Sequence, residues 1–206
     1  MIIQNIEVIF RIFLPIYIIT YIYILFVYSV SSFKKRYKID PRVITKQDQM
    51  MYIFQIYRDV IIVSILFTII VYSFLPGLYY FLVPIKYLEL PALRLFGIFI
   101  MVSSLILIRI SQIQLKDSWR IGIDRTATKS ALITTGIYSR SRNPIALGMV
   151  LSILGLFLVI PNIITFTLLN TTFLIFTIRI RIEEEHLQKT HGKEYDAYRK
   201  KTRRWL

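Results

Sequence analysis

Two long stretches of this chain carry no charged residue, Val60 to Ile85 and Pro144 to Ile178. A helix that crosses a bilayer needs about 20 mostly apolar residues, within a range of about 17–25. The first stretch supplies one span, ending near Pro76-Gly77. The second is too long for a single crossing, and Pro161-Asn162 near its middle is a turn signal. It predicts two short helices folded back as a hairpin. Two further runs qualify: Glu7 to Val30, with Arg11 near its outer end and Pro15 as a possible kink, and Pro91 to Ile108. Arg94 and Arg109 frame the latter, and their long stems can snorkel toward the headgroups. The expectation is an all-α, polytopic membrane helix bundle of about five transmembrane helices, the last two forming the short hairpin.

Composition agrees with this reading. Of 206 residues, 55% are hydrophobic and 18% charged, against about 25% charged in soluble domains. The start of the chain lacks a charged leader region and a small-residue cleavage site, so the first run reads as a retained span. The absence of cysteine excludes disulfides, thiolate metal sites and a cysteine nucleophile.

A net charge of +14 raises the question of nucleic acid, since basic chains often bind phosphate backbones. The charges, however, sit between the apolar runs, and no nucleic-acid module is recognisable; no nucleic-acid partner is expected. Lys34, Lys35, Arg36, Lys38, Arg42 and Lys46 follow the first span. Lys116, Arg120, Arg125, Lys129, Arg140 and Arg142 follow the third, and the tail from Arg179 onward is strongly basic. The remaining connections are poor in Lys and Arg. The positive-inside rule then puts the N-terminus outside and the C-terminus in the cytoplasm. Basic tail residues such as Lys189, Lys193, Arg199, Lys200, Lys201, Arg203 and Arg204 suit an anionic leaflet.

The polar segments flanking the hairpin hold the chemistry. Asn143 followed by Pro144 reads as a helix start, with Asn capping backbone donors and Pro suited to the first turn. Gly136 can supply a backbone turn just before it. This is a plain loop entering a membrane helix, or a helix start whose N–H groups hold a ligand carboxylate. Arg179 and Glu183, spaced i,i+4, share a helical face. They form either a surface ion pair, of about 0–1 kcal/mol, or an amphoteric pair facing a cavity at the membrane surface. His186 and His191 lie near Glu183, but the second motif and extra carboxylates of a di-iron bundle are missing; no metal is expected. No Gly-rich phosphate loop is present.

Three blocks taken together carry a family resemblance: SWRIGID from Ser118 to Asp124, LITTGIYSRSRNP from Leu132 to Pro144, and EEEHLQKTHGKEYDAYRKKTRRWL from Glu183 on. In order and spacing they resemble the integral membrane methyltransferases of the isoprenylcysteine carboxyl methyltransferase and phospholipid N-methyltransferase superfamily. The resemblance implies a cytosol-facing pocket for S-adenosylmethionine, with a lipid-like substrate entering from the bilayer. Leu132, Ile133 and Tyr138 would line the cofactor site, and Asn143 and Pro144 would lie at the helix start that cradles it. Glu183 would contact the cofactor, at its amino group, and Arg179 would face the substrate. Asn143 and Ala146 stand where eukaryotic members carry His and Tyr, and His191 replaces an aromatic residue before Gly192. The Asn form resembles prokaryotic relatives.

The division expected is 1–110 for the first three transmembrane helices and their loops, and 111–206 for the methyltransferase core. The implied activity is methyl transfer to a membrane-embedded acceptor, a lipidic carboxylate as in isoprenylcysteine O-methylation. A phospholipid or other lipid amine is the alternative. An NADPH enzyme resembling sterol reductases needs a longer multi-span core. A non-enzymatic membrane protein such as a transporter should show buried charges or broken helices in matched halves, and neither is visible in the sequence.

Overall fold

The computed structural model describes residues 2–38, 40–41, 49–119 and 131–205. The first span is one long helical path: α1 (Ile2–Ile22), a π-helical stretch Tyr23–Tyr28, and α2 (Ser29–Tyr37). Next come α3 (Gln49–Phe74), the short α4 (Pro76–Tyr79), α5 (Pro91–Gln114), α6 (Pro144–Val159), α7 (Ile163–His191) and α8 (Lys193–Lys201). Among the described residues there is no strand, only isolated bridges. Four of these paths, Ile6–Tyr37, Tyr52–Phe74, Pro91–Gln114 and Ile163–His191, are long and apolar enough to cross a membrane. The protein is an integral membrane helix bundle.

The hairpin is α6 and α7, turning at Pro161-Asn162. Its arms are unequal. With 16 residues, α6 covers about 24 Å at 1.5 Å per residue, short of a hydrocarbon core of about 30 Å. Its partner α7 has 29 residues and carries on past Arg179, where the sequence alone marks the start of a polar tail, through Glu183 to His191. Asn162 begins α7 with a reciprocal cap: its side chain accepts from the Thr165 N–H at 3.0 Å and its own N–H reaches the Thr165 hydroxyl at 3.2 Å. This satisfies donors that a buried helix start would otherwise strand. Pro15 is carried inside α1, and the irregularity in the first span comes later, as the π stretch.

The core rests on a close approach of α5 and α6. A Cβ placed on Gly155 would lie 2.7 Å from the Gly97 carbonyl, and one on Gly97 would lie 2.8 Å from the Gly155 carbonyl. Without a hydrophobic drive between helices in lipid, small residues that let backbones touch hold such pairs together. The Tyr17 hydroxyl donates to the Met101 carbonyl at 3.0 Å and accepts from the Ser152 hydroxyl at 2.6 Å, which draws α1 onto this seam.

Arg94 does not snorkel. It is 8% exposed, with its guanidinium 4.0 Å from the Phe10 ring centroid. Nε donates to the Val159 carbonyl at 2.8 Å and a terminal nitrogen meets Glu7 at 2.7 Å. Tyr72, which also contacts Arg94, donates to the other Glu7 oxygen at 2.7 Å. The bundle therefore contains an ion pair between buried Arg94 and half-buried Glu7 that the sequence reading missed, because its partners are far apart in the chain. It joins α1, α3, α5 and the end of α6 at the end of the bundle remote from the basic loops. Arg109, near the other end of α5, donates to the Ser29 hydroxyl at 3.0 Å and lies over the Tyr28 ring.

Candidate active site

At the basic end, the end of α5, the segment 131–143, the start of α6, the far half of α7, and α8 with its following residues converge. The segment is shaped first by Gly136, whose φ of +63° is a conformation that side chains oppose. A Cβ there would sit 2.5 Å from the Gln114 side-chain oxygen, and that oxygen accepts the Ile137 N–H at 2.8 Å. The turn expected at Gly136 is thus fixed to the end of α5.

The turn sends Tyr138 inward. Its hydroxyl donates to the Ser111 carbonyl at 3.4 Å, and its own carbonyl accepts from the Tyr198 hydroxyl at 2.6 Å. Burial pushes the Tyr138 hydroxyl pKa up, and the nearby negative charge of Glu183 adds to the rise. Burial likewise pushes Tyr195 and Tyr198 up to about 12. All three remain neutral donors at ordinary pH.

Residues 202–205 run beside 139–143. The Arg142 N–H donates to the Arg203 carbonyl at 2.9 Å, and Ser141 and Arg203 form a parallel bridge. The Asn143 amide donates to the Arg204 carbonyl at 3.1 Å. This corrects the expected cap: Asn143 precedes α6, but its side chain makes no capping bond. Pro144 is buried at the first helical position and has no N–H to satisfy. The Ile145 and Ala146 N–H groups, exposed by the helix start, take no partner among the described residues.

Glu184 locks the assembly. It is 7% exposed; Arg142 donates to one of its oxygens at 2.6 Å and Arg204 to the other at 2.7 Å. Its carboxylate raises the Arg204 pKa above the usual arginine value. Its inward position follows from its place along α7. Leu168, Thr172, Ile180 and Glu184 are all buried along α7, four or eight residues apart on one side of the helix, so Glu184 continues the inward stripe while its neighbours leave it.

Glu183 and Arg179 are both half-buried. They share one helical side but form no ion pair, and neither has a side-chain hydrogen bond among the described residues. Leu132 and Ile133 are half-buried in the irregular stretch before Gly136, which the Ser118 hydroxyl meets at the Ala131 carbonyl at 3.3 Å. The structure therefore brings Tyr138, Asn143, Pro144 and Glu183 to one end of the bundle, with Arg179 one turn toward the membrane. The part of the SWRIGID block after Trp119 lies outside the described residues. Nearby, Gln188 Oε1, His191 Nε2 and Tyr195 Oη are buried without a hydrogen-bond partner among the described residues. No group of three His, Asp or Glu that could hold a metal occurs among the described residues.

The sequence model of the phospholipid methyltransferase family matches residues 91–194, from the start of α5 into α8. The chain belongs to that family. Among solved structures it is similar to the eukaryotic intramembrane Ras methyltransferase, isoprenylcysteine carboxyl methyltransferase, solved without a monobody. That likeness has a TM-score of 0.52 at 18% identity and covers 80% of this chain and 54% of that one. It shows a shared fold, and this chain spans about half the length of that protein. No curated protein matches in sequence. Family and fold together make the chain a member of a methyltransferase family built on an intramembrane helical fold.

Proposed function

We propose that the chain transfers a methyl group from S-adenosylmethionine to an acceptor embedded in the bilayer, a lipidic carboxylate. The observation that carries this reading is that Glu183 and Arg179 pair with nothing among the described residues. Two ionisable groups at membrane depth without partners are costly unless something else meets them. The ligand's ammonium would meet Glu183, and its carboxylate would meet the Ile145 and Ala146 N–H groups at the α6 start. Leu132, Ile133 and Tyr138 offer apolar walls for an adenosine. The buried unpartnered atoms of Gln188, His191 and Tyr195 are further polar groups available to such a ligand.

Bound there, S-adenosylmethionine supplies a methyl already activated by its sulfonium. The protein's work is alignment and exclusion of water. Arg179, on the membrane side of Glu183, would hold the acceptor's carboxylate, which is ionised and needs no base. The Glu184 clasp would keep the Arg142–Pro144 corner fixed while both ligands bind. On this reading 111–206 forms the methyltransferase core and 1–110 its helical support. The basic loops face the cytoplasm and the N-terminus lies outside.

A second reading, a phospholipid amine acceptor, is favoured by the family match over residues 91–194. An amine must lose a proton first, so its rate would rise with pH. The test is methyl-labelled S-adenosylmethionine with the reconstituted protein, a prenylated cysteine analogue and phosphatidylethanolamine. Label in the lipid fraction that mild alkali releases is a methyl ester and supports the carboxylate. Alkali-stable label in phosphatidylethanolamine selects the amine. No label in either refutes both.

A further inference from the structure

The residues after α8 do more than close the candidate site. The Trp205 ring stacks on Phe173, with centroids 5.8 Å apart and planes 22° from parallel. Phe173 belongs to the charge-free part of α7 and is 47% exposed, so it faces lipid on the membrane side of Arg179. Trp is the side chain favoured at the boundary between hydrocarbon and headgroups. The stack sets Trp205 against the apolar face of α7, and with that face in lipid Thr202–Trp205 would lie along the bilayer surface, not out in solvent. At that level the exposed side chains are cations. Arg140, Arg199, Lys200, Lys201 and Arg203 all point outward, and none pairs with a carboxylate among the described residues. Arg204, basic in the same run, is already committed to Glu184 at 2.7 Å.

We propose that residues 199–205, with Arg140, form a docking site for anionic phospholipid headgroups, and that lipid bound there holds residues 139–143 in place. The charge and the depth set by Trp205 select a membrane lipid over a soluble polyanion. The mechanical link is direct: Arg203 carries bridging backbone bonds to Ser141 and Arg142, and Arg204 presents its carbonyl to Asn143. A segment pinned to the leaflet by its side chains thus pins the corner leading into α6. That this corner serves methyl transfer rests on the function proposed above; the lipid site itself does not.

The experiment uses the full chain with Trp119→Phe, which leaves Trp205 as the only tryptophan of the two present. It is reconstituted in phosphatidylcholine discs containing either brominated phosphatidylglycerol or brominated phosphatidylcholine at equal mole fraction. The expected result is enrichment of the anionic quencher around Trp205 by at least about fivefold, the factor for one engaged cation at such a surface. High salt should abolish the selectivity. So should Lys200→Gln, Lys201→Gln and Arg203→Gln combined, with an unchanged melting temperature, since those side chains are exposed and unbonded. Equal quenching by both lipids, or selectivity that survives the triple substitution, would overturn the lipid site. Amide exchange at 139–143 should slow in phosphatidylglycerol discs relative to phosphatidylcholine alone; equal exchange would overturn the link. Neither readout needs methyl donor, so the docking site can stand or fall independently of the proposed reaction.

Discussion

Arg142 donates to Glu184 at 2.6 Å with both side chains 8% exposed, and this pair joins the α6 entry to α7. Removing one partner of a buried pair leaves the other uncompensated, at a cost of about 3–5 kcal/mol. Arg142→Ala should therefore lower the melting temperature in detergent sharply, because Glu184 keeps only Arg204. A variant that melts like wild type would show that the clasp carries no stability.

The ion pair at the remote end should be separable from the site. Glu7→Gln and Arg94→Gln each lose stability, and a double-mutant cycle should show coupling within the range of about 0.5–3 kcal/mol seen for contacting residues. Ligand binding at the basic end should be unchanged in the folded variants. Additive effects would mean that the 2.7 Å contact contributes nothing as a pair.

The α5–α6 seam predicts intolerance of a small change. Gly155→Val would set a side chain against the Gly97 carbonyl, 2.7 Å from the new Cβ. The helices must part, at a cost of about 1–3 kcal/mol for overpacking, or more where backbone is in the way. Thermal melting in detergent measures it, and Gly77→Val, with open space around it, is the control expected to be nearly neutral.

Alkaline pH should loosen the α8 contact. The Tyr198 hydroxyl is raised from 10.0 to about 12 by burial while it donates to the Tyr138 carbonyl. A group raised above its unfolded value contributes stability that is whole below about pH 10 and lost as pH climbs toward 12. Wild type should lose melting temperature over that window more steeply than Tyr198→Phe. Parallel curves would contradict the assignment.

Much of the bundle was legible because charge-free runs have few alternatives to membrane helices, and the Pro161-Asn162 turn falls where the sequence signal places it. Gly136 was legible for a similar reason: glycine adopts a positive φ without the strain a side chain adds. Arg94 was not, because snorkelling is the default for an arginine near a helix end, and its partner Glu7 is brought close only by the fold. Asn143 looked like a cap, but Arg204, far along the chain, supplies a competing acceptor. Glu183, Glu184 and Glu185 are chemically identical in sequence. Only the turn of α7 separates the buried clasp from the unpaired carboxylate beside it.

If Glu183, unpaired among the described residues, belongs to the cofactor, its removal must abolish cofactor binding. Calorimetric titration of S-adenosylmethionine and its demethylated product into the detergent-purified protein tests it most directly. Saturable binding by wild type should be lost in Glu183→Ala and largely retained in Arg179→Ala, with both variants melting as wild type does. No binding by folded wild-type protein, or equal binding by Glu183→Ala, would contradict it.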